Sequence, residues 1–489
     1  MSTNNYGSIN ILPLDDTEIG LLSPKMNQMP SDDDNNDSES SMMFSILNTL
    51  LGVSLFAIPW GFALSGSLGG LLTVSIVAYF CYETIRILLV SQGVLYYKTK
   101  RIMSYPEMVG YAMNEPWPGI VKMATLISCL GGCIGYLIFL SELCWQLFGI
   151  SQTTSVIVAT IPLMALSLLR GFRELAIFAV IGFWIIVIAL LIIVFDGFAV
   201  DTGGDGISHI LETPLFGSTK SIMKFLGPAT FTFTVHYMLT AMGAEFLAPR
   251  PDTPATTPLS SPAMSFNRPT SSSSNRRRDN DALQGMNAHV LLSPLASAFT
   301  ISCCIIIVFG ITSNALFRQR DYVWDDHSDG IVHPGCEHVV CQNILMNLSK
   351  SFYRSFLGAI LLPLIFVTYT FVMAPAREHV EKYFMELEMM NEADDSFKNI
   401  ISTIVRVSLV IITAIIAAIN PYFGSTLGAV GGITDAFQSF VLPCLIYLSV
   451  KTEFRISSGG CTILYYLITA FGCCLITFTV VSLFNVDIQ

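Results

Sequence analysis

The feature that most constrains this chain is a succession of long apolar runs, recurring from residue 44 almost to its last residues. A bilayer core about 30 Å thick takes roughly 20 apolar residues per helix. That length predicts spans at 44–64, 67–92, 119–148, 152–170, 175–199, 222–247, 288–316, 352–376, 400–419, 424–450 and 459–484. The divisions near Ser65–Ser67 and Asn420–Pro421 are the narrowest. Composition excludes the alternative that 489 residues would allow, a set of soluble domains: 52% of residues are hydrophobic and only 12% charged. The chain reads as an all-α polytopic membrane protein.

Lysine and arginine in the connections select the orientation. With the amino-terminal tail cytosolic, loops 93–118, 170–174, 248–287, 377–399 and 451–458 hold fifteen basic residues. The other face holds four, Lys220, Arg318, Arg320 and Lys350. Residues 1–43 carry eight acids against Lys25, too charged and too polar to bury a core, so a disordered acidic tail is expected. An apolar run that begins behind such a tail is not a cleavable leader. Residues 251–284, rich in Ser and Pro, read as a disordered cytosolic loop within reach of kinases. That loop contains the single basic run, Arg276-Arg277-Arg278, so no nucleic-acid partner is expected.

Ten of the twelve cysteines lie in apolar segments, which excludes a small disulfide scaffold. Cys336 and Cys341 lie instead in the non-cytosolic loop 317–351, where a disulfide is the first reading. His333 and His338 offer zinc as the second. Asn347-Leu348-Ser349 is a glycosylation sequon on the same face.

Two spans carry residues that an inert anchor would not. The first contains Asn48, Thr49, Gly52, Ser54 and Pro59, which makes Gly52-Val53-Ser54 a candidate interruption at mid-membrane. Five spans later, the sixth contains Gly227-Pro228, then Thr230, Thr232 and Thr234, then His236. Two interrupted helices in corresponding positions of two halves point to a secondary transporter built from inverted repeats. Unwound backbone is tolerated where it lines a cavity. Its free amides suit a carboxylate, and its free carbonyls, with Asn and Thr oxygens, suit a small cation. Glycine at such a break lets the backbone approach a ligand and adopt torsions closed to other residues. The bland reading, that these residues pack and glue helices, fits either span alone.

The stretch Asn48-Thr49-Leu50-Leu51-Gly52-Val53-Ser54, followed by Ile58-Pro59-Trp60-Gly61, resembles the first helix of the amino acid/auxin permease family. Within that family it is most similar to the lysosomal, arginine-sensing branch of the sodium-coupled neutral amino acid transporters. Segments 104–112, 231–242 and 427–448 extend the likeness over roughly residues 44–484. The resemblance implies eleven transmembrane helices in a leucine-transporter-type fold: one five-helix repeat over 44–199, an inverted second over 222–450, and an extra helix at 459–484. It implies an L-amino acid bound by Leu51, Gly52, Val53 and Ser54, with Thr49, Thr232, Thr234 and His236 as further candidates. It places a sodium site at Asn48 and the Leu51 backbone, completed from the eighth helix by Thr368 or Thr370. Many plasma-membrane relatives have Gly-Ser-Gly where this chain has Gly52-Val53-Ser54, which bears on the substrate range.

Other membrane-embedded polar residues have less defined readings. Glu83 and Arg86 are spaced to neutralise each other. Glu142 and Asp435 have no partner in their own helices, and Asp435 reads as a packing or proton-linked group. His236 is either a satisfied core histidine or a gate, and Cys129 and Cys133 are small packing residues. No catalytic constellation and no channel filter is present, so an enzyme and a channel are set aside. The expectation is a secondary amino acid transporter coupled to sodium or protons, with no cofactor. The alternative is a sensor signalling through its tail. Tyr6-Gly7-Ser8-Ile9 and Glu18-Ile19-Gly20-Leu21-Leu22 fit sorting signals that an adaptor would read, which favours an endolysosomal address over the plasma membrane.

Overall fold

The computed structural model describes residues 43–44, 46–99, 101–168, 176–200, 213–240, 288–318, 336, 340–348, 352–386, 394–454 and 462–484. The acidic tail up to residue 42, both sorting patterns, the loop 251–284 and both zinc-candidate histidines lie outside the described residues.

Among the described residues, eight helices are long and apolar enough to cross a membrane. In chain order the helices are α1 (Ile58–Ser65), α2 (Ser67–Thr99), α3 (Tyr105–Met113), α4 (Trp117–Phe148), α5 (Gln152–Ser167) and α6 (Ala176–Val200). They continue with α7 (Thr219–Phe233), α8 (Ala288–Arg318), α9 (Phe352–Met385), α10 (Asp395–Ile419), α11 (Phe423–Val430), α12 (Leu442–Phe454) and α13 (Thr462–Phe484). The expected first and sixth spans are each broken, and the fourth, α5, is short.

Both narrow divisions are real. Gly66, at φ 80°, closes α1 with a left-handed residue that glycine accommodates, and its amide bonds to Phe62. Asn420 ends α10 in extended backbone and accepts the Tyr422 amide on its own side chain at 3.0 Å. The loop expected over 93–118 is largely helical instead: α2 runs on to Thr99, and α3 follows. A capping box starts α3, in which Glu107 Oε2 accepts from the Ser104 amide at 2.8 Å. Ser-Tyr-Pro-Glu carries that signal in the sequence.

Helix α4 is the centre of the bundle, packed against α3, α5, α9, α10 and α11. Its small residues face its neighbours, with Gly131 against Val430, Gly132 against Val372 and Gly135 against Leu427. Around it, α1 packs on α7 and α8, and α2 packs on α7, α8 and α12. The halves of the first and sixth spans therefore meet, through Phe62 and Phe225 among others, whose ring centres are 5.7 Å apart.

The disulfide expected between Cys336 and Cys341 is formed. Residues 340–348 are buried and pinned to two helices, α4 and α11. Asn343 Nδ2 donates to Glu142 at 2.8 Å, Gln146 Nε2 to the Leu345 carbonyl at 2.6 Å, and the Ser425 amide to Gln342 Oε1 at 3.1 Å. Glu142 thus finds its partner outside its own helix. Asn347 is buried, and its Oδ1 accepts the Cys341 amide at 3.0 Å, a placement that opposes glycosylation of the folded chain.

Candidate functional site

The first span breaks where the glycine predicts. Residues 46–50 are helical, and the Leu51 amide makes the last α-type bond, to the Leu47 carbonyl at 2.8 Å. A 3-10 turn over Val53–Ala57 follows, starting with the Leu55 amide on the Gly52 carbonyl at 3.2 Å. The amides of residues 52–54 fall between the two ladders. Gly52 has φ −91° and ψ −167°, extended backbone that any residue adopts, so torsion is not what requires glycine here. Space is. A Cβ on Gly52 would stand 3.5 Å from the Tyr136 hydroxyl of α4, which also lies beside the Val53 amide. Gly52 and Thr49 remain half-exposed, while Leu51, Val53 and Ser54 are buried.

The sixth span also breaks, but not at Gly227-Pro228. Both residues stay inside α7, and the chain becomes extended at Thr234 and Val235 before helix resumes over 236–240. Gly227 serves a crossing: it lies against the Gly428 backbone, and Gly431 lies against the Gly227 carbonyl. Proline at 228 removes one amide, and the helix continues through it, as membrane helices tolerate.

The threonines of α7 mostly serve their own helix. Thr230, Thr232 and Thr234 donate to the carbonyls of Leu226, Pro228 and Thr230 at 2.8, 2.9 and 2.7 Å. Thr232 and Thr234 are buried. His236 is fully buried with both ring nitrogens occupied, Nε2 by Thr84 Oγ1 at 2.9 Å and Nδ1 by Ser439 Oγ at 3.0 Å. The Thr84 hydroxyl also bonds its own helix at Phe80, so it accepts from Nε2–H and leaves Nδ1 to accept from Ser439. His236 is therefore a satisfied core residue that ties α2, the second half of the sixth span and the α11–α12 span together, with no ring nitrogen left for a ligand.

The cation-site candidates come from the first and eighth spans, and α6 lies between Asn48 and the eighth. Asn48 Oδ1 stands 3.6 Å from where a Cβ on Gly182 of α6 would be, and Leu364 of α9 stands 3.0 Å from the same point. Thr368, one turn further on, donates to the Leu364 carbonyl at 2.8 Å. Asn48 and the Leu364 side chain thus approach the same point beside Gly182, with Thr368 one turn beyond Leu364. Thr370 is buried and donates to the Phe366 carbonyl at 3.0 Å. Each hydroxyl keeps oxygen lone pairs free for a cation.

Sequence reasoning left the span of α11 and α12 underspecified. Two π-helical segments, Gly431–Asp435 and Phe437–Val441, join these helices, and the second reaches the sixth-span break through Ser439. Ser439 touches His236 and Thr234, while Asp435 accepts from Ser128 of α4 at 2.5 Å. The pair Glu83–Arg86 closes as the spacing predicts, with Arg86 Nε donating to Glu83 at 2.9 Å and the Tyr465 hydroxyl of α13 at 3.1 Å from the same carboxylate. Cys129 and Cys133 are buried between helices, reaching Tyr237 and the Tyr369 carbonyl. Among the described residues, no group of three or more His, Cys, Asp or Glu is placed to hold a metal ion.

A family model described as transmembrane amino acid transporter protein matches residues 35–264 and 338–485. A search of curated proteins gives no match. Among solved structures, a mutant of the Eremococcus coleocola manganese transporter is similar at 10% identity and a TM-score of 0.49, covering 96% of this chain and 90% of that one. A Na+-coupled sialic acid symporter, in a substrate-bound outward-open state, is similar at 11% identity and a TM-score of 0.47, covering 92% of this chain and 96% of that one. Likenesses this distant carry no argument about ion or substrate.

Proposed function

We propose, from the premise that this chain belongs to the family of transmembrane amino acid transporter proteins, that it is a secondary active carrier of L-amino acids driven by sodium or protons. The family is one of transporters, so the chain is not an enzyme. The observation that carries the reading is the break at Gly52, where amides 52–54 lie between two helical ladders beside the Tyr136 hydroxyl. Amides at the start of a half-helix are a seat for an amino acid carboxylate, which here would compete with the Tyr136 hydroxyl for the Val53 amide. Asn48, one turn earlier, adds an oxygen on the side facing Gly182 and Leu364, a turn before Thr368, where a small cation would sit. The two broken spans and their packing against each other support an eleven-helix arrangement with two inverted five-helix repeats and one extra helix. The likeness in the first span supports an endolysosomal membrane and the lysosomal branch.

The test is uptake by the full chain in proteoliposomes, across the twenty amino acids, with sodium and pH gradients imposed separately. Accumulation of one or a few amino acids under either gradient is the expected result. Saturable amino acid binding with no gradient-driven accumulation would instead identify a sensor and overturn the carrier.

A further inference from the structure

One buried carboxylate is used by neither the substrate seat nor the sodium candidates. Asp435 is 1% exposed, in the π-helical segment between α11 and α12. Its Oδ1 accepts from the Ser128 hydroxyl, whereas its Oδ2 is buried with no hydrogen-bond partner. The adjacent Thr434 hydroxyl is committed to the Val430 carbonyl at 2.9 Å. The groups facing Asp435 are Cys81 from α2, Cys129 from α4 and Tyr237 from the second half of the sixth span. Helices α7 and α13, also packed on this segment, turn Gly227, Phe231 and Thr479 towards it, none of them titratable. No cation stands among these neighbours. A carboxylate buried with one bare oxygen and no countercharge is a state that proteins avoid by neutralising the group.

We propose that Asp435 carries a proton on Oδ2 in this conformation and exchanges it with water during the transport cycle, which makes the proton a coupling ion of transport. This rests on the carrier reading of the preceding section. The step is one O–H bond formed at Oδ2 with a proton from the acidic side, and the same bond broken on release to the other side. The location suits coupling. Ser439, one turn on, touches His236 and Thr234 at the sixth-span break. Ser128, which holds Oδ1, lies about two turns before Tyr136, the residue against Gly52. A second buried orphan, Gln438 Nε2, lies on the next π-helical segment, three residues on, and offers a donor for a water beside Asp435, while Gln438 Oε1 is held by Thr125 of α4 at 2.7 Å. Single π-helical turns inside longer helices frequently lie at functional sites.

The experiment has two arms on the full purified chain. The first is infrared difference spectroscopy without substrate, wild type against Asp435→Asn. Asparagine keeps the Ser128 contact and mimics the neutral carboxyl in size and charge, so the variant is expected to fold. A protonated-carboxyl band at neutral pH that is lost in Asp435→Asn is expected; identical spectra overturn the proposal. As a second variant, Ser128→Ala removes a donor that favours the charged form, so the band is expected to persist to higher pH than in wild type. A band unmoved by that change also overturns it. The second arm is uptake under a pH gradient, which Asp435→Asn is expected to ignore; wild-type acceleration in the variant, or a requirement of Asp435 for sodium rather than proton stimulation, overturns it. Should the wild type accumulate no amino acid, the carrier reading fails, and the infrared arm still decides whether Asp435 holds the proton.

Discussion

The Tyr136 hydroxyl lies 3.5 Å from the point where a Cβ on Gly52 would stand, so the helix break of the first span opens onto a polar group of the central helix. A single methyl there makes an ordinary contact, whereas the branched methyls of valine would fill the gap between the break and Tyr136. Gly52→Ala is therefore expected to weaken amino acid binding modestly, and Gly52→Val to abolish it with expression and thermal stability near wild type. Wild-type affinity in Gly52→Val, measured by equilibrium binding, would move the substrate site elsewhere.

His236 makes a different prediction from the one its place in a threonine-rich stretch suggests. Its two ring nitrogens hold Thr84 and Ser439, and its removal leaves two buried hydroxyls short of a partner. Each keeps another partner, Thr84 at the Phe80 carbonyl and Ser439 at Thr234, so each lost hydrogen bond contributes about 0.5–1.5 kcal/mol. His236→Phe is expected to lower the melting temperature of the detergent-solubilised chain clearly, while the protein that does fold keeps its amino acid affinity. Unchanged stability with lost binding would restore the ring to the substrate site.

How far the sequence could be read depended on which bonds were local. Spans and the break at Gly52 were legible because apolar runs, and a glycine between Asn48 and Pro59, act on their own stretch of chain. Gly227-Pro228 misled for the opposite reason. Whether a Gly-Pro pair breaks a helix or lets another helix approach depends on what lies against it, and here that is Gly428 and Gly431, some two hundred residues away. The true break, at Thr234-Val235, contains no breaker residue at all. Nor could periodicity reveal the partners of Glu142 and His236, since Asn343, Thr84 and Ser439 come from distant segments. The short helix α3 was legible through its capping box, a local signal that sat inside an expected loop.

The disulfide closes a short loop whose following residues are pinned to Glu142, Gln146 and Ser425. The chain-entropy estimate for so small a ring is about 2 kcal/mol. Cys336 and Cys341 are expected to resist thiol-specific labelling until a reductant is added. Cys341→Ser is expected to speed proteolysis of this loop from the non-cytosolic side without altering insertion. Ready labelling of both cysteines in unreduced protein would show that the pair is open.

Asn48 gives the sharpest test of the coupling cation. A neutral amide in the membrane is costlier than leucine, and among the described residues its side chain has no hydrogen-bond partner, so helix-to-helix bonding does not account for it. Its Oδ1 faces Gly182 and the Leu364–Thr368 turn. A hard cation needs several oxygens, and Asn48 with the Thr368 hydroxyl would add two to the carbonyls freed at the break. Asn48→Ala is expected to weaken the apparent sodium affinity about tenfold, which corresponds to about 1.4 kcal/mol. Amino acid affinity at saturating sodium is expected to change far less, because the carboxylate seat lies a turn further along at Gly52. Thr368→Val is expected to act in the same direction, and Thr370→Val less, since Thr370 is the more deeply buried of the two. The measurement is uptake against sodium concentration at fixed pH. Transport indifferent to sodium but driven by a pH gradient would discard the Asn48 site and leave Asp435 as the coupling group.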